Sequence, residues 1–265
     1  MSTTDTLGAR MKAHEHATRQ VLPRRVWTIT RLDGRAFHQY TRGLERPFDA
    51  KFAADMDAVA KAVVTEMSGA AFAYVQSDEI SVLTTDFASE GTQPWFGGVV
   101  AKLTSLSAAI ATATMNQVRP PAETGKVALF DSRVFTLDDS HEVAAYFLWR
   151  QRDAVKNSIS MAAQTHFSPK RLHGLHSGAL RELLLTEAGV TWDDYPDEFK
   201  RGRVVVKETV TAPVTFTHKR TGEVSTTAVD RSRWAAQPAP QFSTAPDGWL
   251  LAEAIPAMPT SQDPL

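Results

Sequence analysis

The chain has 265 residues, of which 43% are hydrophobic and 22% charged, and its formal net charge is −1 at pH 7. This composition is typical of a globular protein and excludes an intrinsically disordered chain, and the near-neutral charge argues against a protein that coats nucleic acid by bulk charge. The absence of cysteine excludes a disulfide framework and any thiolate chemistry. No apolar run reaches the roughly 18 residues of a membrane span, and the N-terminus lacks a signal-peptide pattern. We therefore expect no membrane partner and a cytoplasmic location.

The first half of the chain predicts the element order β-α-β-β-α-β. Its β-branched and aromatic runs predict strands, and its apolar residues at steps of three and four predict helices. The strands are predicted at 24–32, 71–76, 80–85 and 126–135, and the helices at 47–67 and 95–118. This order predicts an α+β fold with a ferredoxin-like core over residues 1–135.

The ferredoxin-like order has a consequence for three acidic residues. Its first strand lies beside the hairpin of the second and third strands, so the end of the first strand meets that hairpin turn at one edge of the sheet. Asp33 follows the first predicted strand, and Asp78 and Glu79 fall between the second and third. We therefore expect these acids to converge at that edge.

The second half of the chain predicts helices and a β-hairpin. A long helix is predicted at 140–167, capped by Ser140, and a shorter helix at 176–189. Hairpin strands are predicted at 203–211 and 213–229, and a last strand at 248–255. We interpret residues 136–265 as an extension packed on the core, with a soft boundary near 135 and a flexible tail at 256–265.

Acids that converge at a sheet edge have three plausible uses: a hydrogen-bonded structural pair, an acid/base pair, or a metal site. Gly34, directly after Asp33, favours the metal site, because it lets a large anion approach and its carbonyl can join a metal shell. Magnesium prefers carboxylate and phosphate oxygens, and a pair of such ions supports nucleotidyl transfer. The pattern alone leaves a structural acid pair open.

Several side chains near these acids are candidates for binding phosphate or base. Arg35, Arg46 and Lys102 could supply positive charge to a triphosphate, and His38 could stack on a base. No Gly-rich phosphate loop of the Walker type is present in the sequence.

Six segments in this order resemble the tRNA(His) guanylyltransferase family, including its guanylyltransferase-like branch in bacteria and archaea. They are RLDGRAFHQYT, RPFD, QSDEIS, FDSRVF, YFLWRQRD and KRG. Asp-Gly-Arg followed by Ser-Asp-Glu, with Trp-Arg-Gln downstream, is a specific combination, and the resemblance extends from about residue 7 to residue 205.

The resemblance implies a polymerase-like palm that extends RNA in the 3′-to-5′ direction. A nucleoside triphosphate activates the 5′ end of tRNA, and the 3′-hydroxyl of the incoming nucleotide attacks that end. It implies that Asp33, the Gly34 carbonyl and Asp78 hold two Mg²⁺ ions, and that Asp33, Asp78 and Glu79 form the catalytic set.

The resemblance also assigns binding residues. Nucleotide contacts are expected from Gly34, Arg35, Ala36, Phe37, His38, Arg46, Asp49, Ser77 and Lys102, with Arg46 where the family usually has lysine. Contacts with tRNA or the activated end are expected from Arg31, Arg133, Arg150, Asp153, Asn157, Lys200 and Arg201. The expected ligands are Mg²⁺, ATP or GTP, and tRNA, and the expected assembly is a homotetramer.

A second departure from the family pattern concerns tRNA recognition. The eukaryotic enzymes have a histidine tied to tRNA(His) recognition after Trp-Arg-Gln, whereas this chain has Val155. A valine side chain cannot read a base edge by hydrogen bonding. This favours general repair of tRNA 5′ ends over strict tRNA(His) specificity, and the alternatives are a palm-type cyclase acting on free nucleotides and a non-catalytic RNA-binding protein.

Overall fold

The computed structural model describes residues 3–259, in which helices and strands alternate before a long hairpin. The helices are α1 (Thr3–Ala17), α2 (Phe37–Tyr40), α3 (Ala50–Glu66), α4 (Val100–Val118), α5 (Pro121–Thr124), α6 (Ser140–His166), α7 (Pro169–Leu172), α8 (Ser177–Ala188) and α9 (Asp197–Lys200). The strands are β1 (Trp27–Gly34), β2 (Ala70–Gln76), β3 (Glu79–Thr84), β4 (Phe130–Leu137), β5 (Arg203–Thr217) and β6 (Val224–Pro238). None of the helices in this range is long and apolar enough to cross a bilayer.

The strands of the described chain form one antiparallel sheet in the order β4-β1-β3-β2-β5-β6. β1 lies between β4 and β3, which is where the predicted order of elements puts it. The register pairs Asp33 with Glu79 on β3 and with Asp131 on β4. The end of β1, the start of β4 and the turn between β2 and β3 therefore meet at one edge of the sheet, called the acid edge below.

Each face of the sheet buries its own apolar cluster because strand side chains alternate between faces. On one face, Leu32, Ile80 and Val82 pack with residues of α3 and α4. On the other, Ile29 and Leu83 pack with residues of α6. Full burial of such a side chain stabilises the fold by about 1.5–3 kcal/mol. The alternation also decides that Arg31 and Asp33, two and four residues after Ile29, lie on the α6 face.

The β5–β6 hairpin joins the sheet over a short length. Residues 73–75 of β2 pair with residues 203–205 of β5, and the two hairpin strands then pair only with each other out to Thr217 and Val224. The predicted hairpin is confirmed, but its turn lies at 218–223 and not near residue 212, because the first strand continues to Thr217 and the second runs from Val224 to Pro238. The boundary near residue 135 stays a prediction.

Two predicted details are wrong. Ser140 does not cap α6, because Asp139 accepts the hydrogen bond from the backbone N–H of His141 at 2.8 Å. Residues 248–255 are not a strand but contain a π-helical turn, Leu250–Ala254. Apolar side chains at 250, 251, 254 and 255 pack into the α6-side cluster, a spacing that a helical turn presents on one side.

The predicted tail at 256–265 lies partly outside the described residues. Within them, the carbonyl of Pro256 accepts a hydrogen bond of 3.0 Å from the Trp27 indole N–H.

Candidate active site

The acid edge brings Asp33 and Asp78 together although 45 positions separate them in the sequence. Ser77 and Asp78 form the turn between β2 and β3, and the backbone N–H of Gly34 donates a 3.1 Å hydrogen bond to the Asp78 carbonyl. Ser77 holds a φ of +47°, a conformation uncommon for a residue with a side chain. The turn is thus tied directly to the end of β1.

The electrostatics of this pair favour a bound cation. Burial raises the pKa of Asp78 to about 6; its own backbone N–H and the Ser77 hydroxyl lower it, and the charges of Asp33 and Glu79 add to the rise. Burial also raises the pKa of Asp33, with the charge of Glu79 as the next contribution. Both carboxylates are therefore costly to ionise in the protein alone, and a nearby positive charge would relieve that cost.

Glu79 has a different environment from the other two acids. Its side chain is buried, and Arg150 binds it in a bidentate ion pair with N–O distances of 2.7 and 2.6 Å. The Arg31 guanidinium lies 2.6 Å from the same carboxylate. Although Glu79 was predicted to be catalytic, its two arginine partners make it the anchor of a buried charge network beside Asp33.

The donor set at the acid edge fits magnesium. In the described chain, no cluster of three or more His, Cys, Asp or Glu side chains could hold a metal ion. Magnesium usually takes only one or two protein carboxylates and completes its shell with water and phosphate oxygens. Asp33, Asp78 and the Gly34 carbonyl therefore remain a suitable set, because the raised pKa of each carboxylate shows that it lacks sufficient positive charge nearby.

Gly34 has a packing role that the sequence did not reveal. A Cβ atom built at this position would lie 2.4 Å from Cδ2 of Phe37, closer than any real contact allows. The Phe37 ring is buried in the α3–α4 cluster. The glycine lets this ring pack against the end of β1 and so holds the following loop close to Asp33.

A cleft of about 510 Å³ opens beside the acid edge. Its walls come from the segment after β1, the start of α3, the β2–β3 turn, the second half of α6, and the start of β5. Of the predicted site residues, it is lined by Gly34, Ala36, Phe37, His38, Arg46, Asp49, Ser77, Asp78 and Asn157. This volume lies within the range of about 300–1,000 Å³ that small-molecule sites occupy.

Two predicted nucleotide ligands in this cleft differ in availability. Arg46 is exposed on the cleft wall, so its guanidinium is accessible to an anion. Asp49 instead caps α3: its carboxylate accepts hydrogen bonds from the backbone N–H groups of Phe52 at 2.7 Å and Glu45 at 3.1 Å. The structure thus gives Asp49 a capping role in addition to its place on the cleft wall.

Sequence reasoning missed an aromatic wall of the cleft. The rings of Phe48 and Phe199 stack with centroids 5.0 Å apart and planes 1° from parallel, and both residues line the cleft. They are 151 positions apart, so no local pattern pairs them. Arg203, also on the cleft wall, was missed as well, and it pairs with Asp57 at 2.5 Å.

Some predicted ligands do not reach the cleft. Lys102 lies at the start of α4. The backbone N–H of Val100, the first residue of α4, donates a hydrogen bond to the carbonyl of Gln20, which precedes β1. The start of α4 is therefore beside the end of the sheet where β1 begins and β3 ends at Thr84. Because β3 begins at the acid edge, its length puts Thr84 roughly 17–20 Å from that edge. Within one chain, Lys102 is too far away to bind the same nucleotide, and its ammonium group lies over the Phe96 ring instead. Arg35 is exposed but does not line the cleft.

Apart from Asn157 on the cleft wall, the predicted RNA-binding residues lie either beside Asp197 or near the acid edge. Lys200 and Arg201 both form ion pairs with Asp197, and Lys200 is buried, which makes it poorly accessible to RNA. Arg133 is half exposed on the α6 face of β4 and lies 4.0 Å from Asp33. Of the residues predicted to contact tRNA or the activated end, those near the acid edge are Arg31, Arg133, Arg150 and Asp153.

Comparisons with known proteins identify the family of this chain. A family model described as tRNAHis guanylyltransferase matches residues 8–138. A bacterial tRNA(His) guanylyltransferase-like protein solved with ATP is 39% identical, with a TM-score of 0.76 and coverage of 89% of this chain and 93% of that one. A structure of such a protein with GTP is 37% identical, with a TM-score of 0.73 and the same coverage.

A curated sequence relative comes from a fungus. The tRNA(His) guanylyltransferase of Eremothecium gossypii is 26% identical over 210 residues, which cover 72% of this chain and 86% of that protein. The resemblance inferred from the six motifs is confirmed. Given the identity and coverage shared with the bacterial protein, this chain is a nucleotidyltransferase of the tRNA(His) guanylyltransferase family.

Proposed function

We propose that this protein is a Mg²⁺-dependent enzyme that adds nucleotides to the 5′ end of tRNA in the 3′-to-5′ direction. We further propose that residues 27–137 form a polymerase-palm core of the ferredoxin-like type. The strand order β4-β1-β3-β2, with α3 and α4 packed on one face, supports this assignment. The names of its relatives support tRNA as the substrate.

The observation that carries the proposal is the position of Asp78 on the wall of a nucleotide-sized cleft, with Asp33 directly before the cleft-lining Gly34. Asp33, Asp78 and the Gly34 carbonyl would hold the metal ions. When bound there, Mg²⁺ would activate the attacking hydroxyl and stabilise the leaving pyrophosphate. Although burial raises the pKa of Asp78 to about 6, its carboxylate is still largely ionised at neutral pH and can bind a cation.

The walls of the cleft suggest how the triphosphate and base are held. Arg46 contributes an accessible guanidinium, and His38 lies exposed in the first helical turn after the Asp33 loop. The stacked pair Phe48 and Phe199 offers apolar surface to a base. The chain's contribution is therefore positioning and charge neutralisation, which is the main protein role in phosphoryl transfer.

Val155 supports action on a broad set of tRNAs. It is partly buried and packs against the cluster of α6 and α8 that contains Ile159 and Leu180. Ala154 and Asn157, its neighbours on α6, line the cleft, whereas Val155 does not. A side chain in this place makes no hydrogen bond to a base, so we propose that base pairing within the tRNA guides the addition.

An extension assay tests the function. Transcripts of tRNA(His) and of other tRNAs, each lacking its first nucleotide, are incubated with Mg²⁺ and with one nucleoside triphosphate at a time. We expect the nucleotide complementary to the opposing base to be added to each transcript. Addition to tRNA(His) alone would contradict the repair function, and a cyclic or dimeric product without RNA would establish a cyclase instead.

Two variants test the assignment of the acids. Asp33→Ala and Asp78→Ala should abolish addition while tRNA binding, measured by filter retention, persists. Asp247→Ala removes an exposed carboxylate in the loop before the π-helical turn and serves as the matched control. Full Mg²⁺-dependent activity in both acid variants would show that the metal is held elsewhere.

We also propose that the protein is a homotetramer. In a tetramer, Lys102 would have to contact a nucleotide bound by a neighbouring chain, because it cannot reach the cleft of its own chain. Light scattering should give four times the chain mass, and a monomer mass would refute the assembly.

A further inference from the structure

Trp149 is a large aromatic side chain left exposed close to the acid edge. It lies on α6 and keeps 54% exposure, although aromatic residues of this size are usually well buried. Its ring is nevertheless fixed: the Arg150 guanidinium carbon lies 4.4 Å from the indole centroid, over the ring. The ring of Tyr146 contacts it edge-on at 5.9 Å. An indole held in this way presents flat apolar surface to solvent at little further entropic cost.

A short series of contacts connects this indole with the acids. Arg150, stacked on Trp149, forms the bidentate ion pair with Glu79. Glu79 lies directly opposite Asp33 in the β1–β3 register, and such opposite residues have Cβ atoms about 4.5–5.5 Å apart. Trp149 is therefore beside the proposed reaction centre, although it does not line the nucleotide cleft.

The indole lies on the side of the acid edge away from the cleft. The Tyr146 ring, which contacts Trp149, also contacts the Phe135 ring of β4 at 5.4 Å. Trp149 therefore lies on the side of the sheet where β4 is the edge strand. The cleft instead lies along α3, the β2–β3 turn and the later turns of α6. The reaction joins two substrates, and the acids thus have one binding surface on each side.

Arg133 adds positive charge to the β4 side. It shares the α6 face with Arg31, its partner in the β1–β4 register. Its contacts with Asp131 at 3.2 Å and Asp33 at 4.0 Å are solvent-exposed, and exposed pairs of this kind are weak. The guanidinium can therefore be recruited by a phosphate.

We propose that Trp149 is the stacking platform for the terminal base at the 5′ end of the RNA substrate, with Arg133 at the adjacent phosphate. This inference rests on the proposed function and adds the surface that positions the acceptor end. Base stacking is sequence-tolerant because every base has a π face, which suits an enzyme acting on many tRNAs. Removal of such a contact typically weakens RNA binding by about 5- to 150-fold.

The test uses full-length protein with Trp149→Ala, Trp149→Phe and, as control, Leu185→Ala. Leu185 is 56% exposed on α8 and belongs to neither surface described here. A tRNA with 2-aminopurine as its 5′-terminal base reports stacking through quenching of its fluorescence. Steady-state extension kinetics give KM separately for RNA and for nucleotide, and urea unfolding reports stability.

We expect Trp149→Ala to raise KM for RNA by about 5- to 150-fold and to abolish the quenching. Trp149→Phe should retain part of the quenching and raise KM for RNA by less than Trp149→Ala does. Leu185→Ala should behave like the unmodified protein. KM for nucleotide should stay unchanged in all three, because none of these positions lines the cleft.

Two results would overturn the inference. One is an unchanged KM for RNA with unchanged quenching in Trp149→Ala. The other is a loss of stability with parallel effects on RNA and nucleotide, which would mean that the indole only shields the Arg150–Glu79 pair. Failure of the proposed function is a separate result, since the unmodified protein would then add no nucleotide to any tRNA.

Discussion

Replacing Asp78 by asparagine should stabilise the protein while it removes activity. Asparagine has nearly the same shape, and its amide oxygen can still accept from the backbone N–H and the Ser77 hydroxyl that the carboxylate uses. The change removes only the cost of ionising a partly buried acid. Stability measured without metal therefore reports that cost directly.

The size of the effect follows from the pKa of Asp78. Burial raises it from 3.8 to about 6, so the folded state binds the proton more tightly than the unfolded chain. Wild-type stability consequently falls as the pH rises from about 4 to about 6 and stays low above that. We expect Asp78→Asn to gain about 3 kcal/mol near pH 7 and only about 1 kcal/mol near pH 4.5.

Urea unfolding at both pH values, with a chelator present, measures this difference. Asp247→Asn controls for the loss of one negative charge at an exposed position. Adding Mg²⁺ should then stabilise the wild-type protein, because a ligand that binds only the folded state shifts the unfolding equilibrium, and should have little effect on Asp78→Asn. A variant that is less stable than wild type near pH 7, or a gain independent of pH, would refute the reasoning.

Three further predictions concern stability. Arg150→Ala should cost about 3–5 kcal/mol in urea unfolding, because it leaves Glu79 buried with only part of its counter-charge; a loss below 1 kcal/mol would show that the network is well solvated. Gly34→Ala should cost about 1–3 kcal/mol through its clash with the Phe37 ring, and an additional Phe37→Leu change should restore part of that loss in calorimetry. Asp49→Ala should cost about 1 kcal/mol near pH 7. Although burial raises the pKa of Asp49, its backbone hydrogen bonds lower it below 3.8, so this cost should vanish as the pH falls through that lowered pKa; a cost that persisted in acid would contradict the capping role.

The acid edge could be predicted because element order is written in the sequence. Once the β-α-β-β-α-β order was recognised, the pairing of the first strand with the hairpin followed, and with it the meeting of Asp33 and Asp78. The different role of Glu79 could not be predicted, because its partner Arg150 is 71 positions away on a helix whose docking angle no local pattern specifies.

The same limit applies to the cleft and to the end of the chain. Phe48 and Phe199 form one wall only because the segment before β5 folds back over the start of α3. The prediction of a strand at 248–255 failed for a related reason: the run GWLLAEAI is compatible with either structure, and the apolar space beside Phe242 and Phe72 selected a helical turn.

The sequence by itself determined the order of the first four strands, the two acids at the sheet edge, the glycine after Asp33 and the family to which the chain belongs. These features depend on local periodicity and on motifs with fixed spacing. Only the tertiary structure decided that Glu79 is bound by two arginines, that Lys102 lies at the far end of the sheet, and that Trp149 remains exposed beside the acids. The physical reason is that charge pairing and burial are properties of distances between elements, and those distances are set by how the two faces of the sheet are packed.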